Sequence, residues 1–118
     1  MARLFVDVTV EKKDLPFQAR CTVRRREDHY TFDDRVINAH ADGEPPIEPF
    51  HSTPIIVPAG KHALCIESIV VEEGRPANAC VVTLYQLVAG QRKQLDQRKF
   101  DFKAIPWGNF FYFTVEEA

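Results

Sequence analysis

Four histidines fall at positions 29, 40, 51 and 62, a constant spacing of eleven residues. Neutral imidazole is the usual ligand for zinc or iron, and three converging rings make a site. Their neighbours share no frame, however: Asp-His-Tyr, Ala-His-Ala, Phe-His-Ser and Lys-His-Ala. A true repeat would share its apolar positions too, and an odd spacing reverses the face along a strand. The spacing therefore reads as coincidence, and no metal or other cofactor is expected. The alternative is a small-ligand or metal-binding protein, or an enzyme, that gathers His40, His51 and His62 under a long loop. The three cysteines, Cys21, Cys65 and Cys80, are an odd count with no short spacing. Each sits in an alternating apolar segment, which predicts three buried, reduced thiols in a cytoplasmic protein. A Cys65–Cys80 bridge is the other possibility. Ser52 and Ser68 are the only serines, and neither lies in a Gly-x-Ser-x-Gly elbow. There is no phosphate loop and no dinucleotide fingerprint. The common reaction motifs are thus missing, and the balance is against an enzyme.

Two other runs carry chemistry. Arg24-Arg25-Arg26 is the one basic run, followed at once by Glu27 and Asp28. It reads as a charged edge strand, with an anion contact as the lesser reading. Pro46-Ile47-Glu48-Pro49 matches P-x-x-P, but its flanks are acidic where recognition of such segments wants a basic anchor. A rigid loop is expected there.

Pro58-Ala59-Gly60-Lys61-His62 resembles the second metal-site motif of cupins, in which a Pro-x-Gly turn leads into a ligand histidine. The likeness covers about ten residues. In that family the histidine comes one residue later, and the partner motif of two histidines and a glutamate is absent from this chain. The resemblance implies a metal held by His62; the residues themselves imply a tight turn opening a strand. The start, Leu4 to Pro16, resembles the first strand and loop of C2 domains, which bind calcium through loop aspartates. The Asp-Pro-Tyr motif that should follow is missing, and Asp33-Asp34 and Asp42-Gly43 form no organised oxygen cage.

The elements that must position these residues are strands. Leu4, Val6, Val8 and Val10 alternate with Phe5, Asp7, Thr9 and Glu11, the period of a sheet with one apolar face. The same pattern predicts strands over residues 3–12, 17–26, 30–37, 55–57, 62–72, 78–88, 93–103 and 109–115. Turns fall at Asp14-Leu15-Pro16, Asp28-His29, Pro58-Ala59-Gly60, Glu73-Gly74-Arg75-Pro76, Ala89-Gly90-Gln91 and Pro106-Trp107-Gly108. Residues 38–54 hold four of the eight prolines and no periodicity, and read as one long loop. The expectation is a single all-β domain over residues 1–118, an antiparallel β-sandwich of about eight strands, immunoglobulin-like or jelly-roll. A closed barrel is the second choice.

The final strand departs from the pattern. Phe111, Phe113 and Val115 share one face and Phe110, Tyr112 and Thr114 the other, so both faces are largely apolar. The first set is assigned to the core. Phe110 and Tyr112, with Trp107 in the preceding turn, are assigned to an interface, since exposed aromatics mark contacts. The competing account lays the 38–54 loop over this face. The resulting expectation is a non-catalytic module that acts by protein–protein contact, with itself or with another protein.

Bulk properties agree with that class. Hydrophobic residues make up 45% and charged residues 27%, ordinary for a globular domain. The formal net charge of −2, from 15 basic and 17 acidic side chains, gives no electrostatic case for nucleic acid or an anionic membrane. Asp7 and Glu11 interrupt the first apolar run, so it reads as a strand and not as a signal peptide. No stretch approaches the ~18 apolar residues of a membrane span.

Overall fold

The computed structural model describes residues 1–48, 51–69, 79–102 and 109–117. Strands account for 68% of the described residues and helix for 3%, in two sheets packed as a sandwich. The strands are β1 (Ala2–Val10), β2 (Gln18–Arg25), β3 (Thr31–Asn38), β4 (His40–Ala41), β5 (Ile55–Val57), β6 (Gly60–Ile69), β7 (Ala79–Val88), β8 (Gln91–Asp101) and β9 (Asn109–Val115). A single 3-10 turn, Lys12–Asp14, follows β1. The predicted turns at residues 73–76 and 106–108, together with Trp107 and Pro49, lie outside the described residues.

One sheet runs β4-β1-β7-β8, with β5 also paired to β1; the other runs β3-β2-β6-β9. Alternation decides which residues meet between them. Leu4, Val6 and Val8 of β1 and Val82 and Leu84 of β7 face Ala19, Cys21 and Val23 of β2, Leu64 and Ile66 of β6, and Phe111, Phe113 and Val115 of β9; all are buried. Each such side chain contributes roughly 1.5–3 kcal/mol when withdrawn from water. The shortest axis of the molecule is 20 Å, as two stacked sheets with side chains on both outer faces require.

Two tight turns set register. Ala89 and Gly90 both have positive φ, 51° and 78°, and link Val88 to Gln91. Positive φ at both central residues is the two-residue turn whose twist suits a hairpin. Between β2 and β3, the amide of Arg25 donates to the carbonyl of Tyr30 at 2.8 Å and that of His29 to Arg25 at 2.9 Å. His29 itself has φ 62°.

Three sequence expectations are corrected. Residues 38–54 are not one loop, because His40–Ala41 pair in parallel with Thr9 and Val10 of β1. Two residues are too short a run for periodicity to reveal, and the parallel contact breaks an otherwise antiparallel sandwich. The Arg24–Arg26 run does not protect an edge, since β2 lies inside its sheet between β3 and β6. The three thiols are free, but only Cys21 and Cys80 are buried. Cys65 is half-buried, because it alternates with the inward Leu64 and Ile66 and so lies on the outer face.

Candidate functional site

β9 ends its sheet, and among the described residues no strand pairs with its far side. Its inward residues are buried, with Phe111 3% and Phe113 8% exposed, as the alternation predicts. Its outward residues are not: Phe110 is 58% and Tyr112 48% exposed. The two rings meet edge to face at 5.3 Å. Phe110 lies opposite Cys65 and Tyr112 opposite Ala63 of β6, and Arg24 of β2 lies on the far side of Ala63. The Arg26 guanidinium stands 4.1 Å above the Tyr112 ring. The patch is thus an aromatic pair on an open strand edge, bordered by small residues and two arginines. Arg26 covers part of Tyr112, and no described residue of the 38–54 segment is seen to lie over the pair, which stays about half exposed. Residues 51–54 pack elsewhere: Arg35 on β3 donates to the carbonyl of Thr53 at 2.8 Å.

The other sheet shows the contrast. Its outward Phe5 is only 8% exposed, because the Arg92 guanidinium from β8 lies 3.8 Å over the ring. Thr83 in the same face takes a hydrogen bond from Gln97 at 2.9 Å. The outward aromatic there, Phe5, is roofed by a polar neighbour and the apolar Ile56 is 45% exposed, whereas Phe110 is left open.

Two of the three histidines of the metal reading do come together, around a residue the sequence had not joined to them. The His40 Nε2–H donates to Asp7 Oδ1 at 2.6 Å, and His51 Nδ1 is 3.7 Å from the same oxygen. Parallel pairing of His40 with Thr9 places the imidazole on the outer face, one step from Asp7. His40 Nδ1 is 3.0 Å from the Ala41 carbonyl. Both partners of the ring are acceptors, so the doubly protonated ring satisfies both. Burial pushes its pKa down, but the hydrogen bond and charge of Asp7 outweigh that and raise it above the ordinary value. A ring in that state has no lone pair for a metal.

His62 does not join this group. It opens β6 in the opposite sheet, 1% exposed, with its Nε2–H donating to the Pro58 carbonyl at 2.7 Å. Phe32 and Phe113 meet its ring edge-on at 5.1 and 5.8 Å. The set His40, His51 and His62 is therefore divided between two sheets. Among the described residues no three His, Cys, Asp or Glu side chains gather as a metal site. Asp33 and Asp34 are held by arginines: Arg35 donates to both oxygens of Asp33, and Arg20 to both oxygens of Asp34. The Arg20 clamp holds the Asp34 carboxyl below the usual range. Neither aspartate stands in an oxygen cage.

Burial disfavours the thiolate of all three cysteines. Burial raises Cys21 and pushes Cys80 up to about 12, and Cys65 is also raised, chiefly by burial. No helix of the described residues is long and apolar enough to cross a membrane. Comparison with known protein families, with curated proteins and with solved structures finds no match to this chain.

Proposed function

We propose that this chain is a non-catalytic β-sandwich that works by protein–protein contact, with the open edge and outer face of β9 as its contact surface and a second copy of itself as the partner. The observation that carries this reading is the exposure of Phe110 and Tyr112 on a strand whose other edge has no partner among the described residues. An unpaired edge is a template for another strand, and aromatics concentrate at interface cores. Antiparallel pairing of β9 with its copy about a two-fold axis keeps Phe110, Tyr112 and Thr114 of both copies on one continuous face. Commitment of His40 to Asp7 and of Cys21 and Cys80 to burial supports a role without catalysis. Free thiols suit a reducing cytoplasm.

The test is mass in solution. Phe110→Glu places a charge on the patch and should reduce the mass seen by light scattering while a cooperative melt persists. A charged variant that keeps the wild-type mass would remove β9 from the interface. A wild type that is monomeric at high concentration would leave only a different protein as partner.

A further inference from the structure

At the end of the sandwich where β2 leaves and β6 begins, Arg25, Arg26, Glu27, Lys61, His62 and the Pro58–Gly60 turn line a concave depression. Arg25 and His62 are direct cross-strand partners. Each brings a buried polar atom without a hydrogen-bond partner: Nε–H of Arg25 and Nδ1 of His62. The nearest carboxylate oxygen to Arg25 Nε, on Asp28, is 3.5 Å away and makes an ion pair only. In the neutral ring Nε2 holds the proton that goes to Pro58, so Nδ1 keeps a lone pair. Thus a buried donor and a buried acceptor stand opposite each other in one hollow. A hydroxyl group has the chemistry for both, since its oxygen accepts from Arg25 and its proton goes to His62.

The surroundings define what that hydroxyl belongs to. Arg25, Arg26 and Lys61 bring three positive charges against Glu27 in the wall and Asp28 beside Arg25. The balance is one net positive charge, which favours an anion. The guanidiniums are positioned in advance: Arg25 stacks on Tyr30 and Phe32 at 5.2 and 5.3 Å, and Arg26 on Tyr112. Gly60, at φ 137°, lets the turn fold back so that the Pro58 carbonyl fixes the His62 tautomer.

We propose that this hollow binds a small oxyanion that carries its own hydroxyl group, with the anionic oxygens on Arg25, Arg26 and Lys61 and the hydroxyl between Arg25 and His62. Hydrogen phosphate and small hydroxy acids share that chemistry; sulfate and simple carboxylates lack the proton at neutral pH. The hollow meets the aromatic patch at Arg26, which stacks on Tyr112, but Phe110 is not among its lining residues, so Phe110→Glu removes no group that the anion contacts.

The experiment follows the imidazole nitrogens of His62 by NMR in the whole protein during titration with inorganic phosphate, sulfate, glycolate and acetate at matched ionic strength. The expected result is saturable movement of Nδ1 with phosphate or with glycolate, and at least tenfold weaker binding of the corresponding sulfate or acetate. Which of the two hydroxyl bearers binds names the source. Lys61→Ala, at an exposed position, should weaken that binding about threefold to tenfold, and His62→Phe, which keeps the aromatic packing, by about tenfold or more. His62→Gln serves if the Phe variant does not fold. Sulfate or acetate binding as tightly as its hydroxyl-bearing counterpart would overturn the proposal. So would a Nδ1 signal that none of the four anions moves, because water alone then bridges the pair.

Discussion

The cationic form of His40 is favoured by two acceptors, and this gives the residue a signature in pH. Its pKa is raised in the folded chain, so its pairing with Asp7 stabilises fully below the unfolded value of about 6.5. The contribution is lost as pH rises through the raised folded value. Asp7→Asn should lower stability by about 1–3 kcal/mol at mildly acidic pH, the usual size of a hydrogen bond to a charged group. The gap between variant and wild-type urea midpoints should close at alkaline pH, once His40 is neutral in both. A gap of constant size would show that the pair is not charged. Cysteine exposure is a second matter at this scale. Cys65 should label in the native state, slowly because its pKa is raised, while Cys21 and Cys80 should label only in denaturant. Rapid native reaction of Cys21 or Cys80 would contradict their burial.

At the scale of elements, the turn between β7 and β8 is imperfectly matched to its sequence. Ala89 holds φ 51°, a conformation that costs an alanine roughly 1–2 kcal/mol and that asparagine tolerates better. Ala89→Asn should raise stability by about 0.5–1 kcal/mol, read as a higher urea midpoint at unchanged slope. β9 gives the opposite case: Phe111→Ala removes a buried ring from the core and should cost about 3–5 kcal/mol. The faces of β9 were legible in the sequence because seven residues alternate without interruption and Phe111, Phe113 and Val115 fall on one parity. Strand order was not legible, since β1 reaches β7 and β2 reaches β6 across long separations that no local pattern encodes. β4 was missed for a related reason: its partner lies some thirty residues earlier, at Thr9–Val10. The gathering of Asp7 with His40 and His51 depends on that pairing and was hidden with it. The hollow at Arg25 and His62 was half visible. Both runs that form it stood out, but their juxtaposition needs the β2–β6 register.

The whole molecule is a sandwich whose two outer faces are finished differently. On one, Arg92 roofs the outward ring of Phe5 and His51 stands 3.7 Å from Asp7, and the apolar side chain left open is the isolated Ile56. On the other, the sheet of the described residues ends at β9 with two exposed rings. A second copy that binds only the folded form must stabilise it by mass action. The melting temperature of the wild type should therefore climb with protein concentration. That of Phe110→Glu should stay constant over the same range, because its patch carries a charge that pairing would bury. Tyr112→Ser should fall between them, since it shortens the aromatic face but leaves the strand edge open. These melts separate the interface from the core: Phe111→Ala should lie about 10–20 °C lower at every concentration, given its loss of packing and a domain of this size. If wild type and Phe110→Glu show the same flat dependence, the chain does not pair with itself through β9, and the exposed rings belong to a contact with another protein.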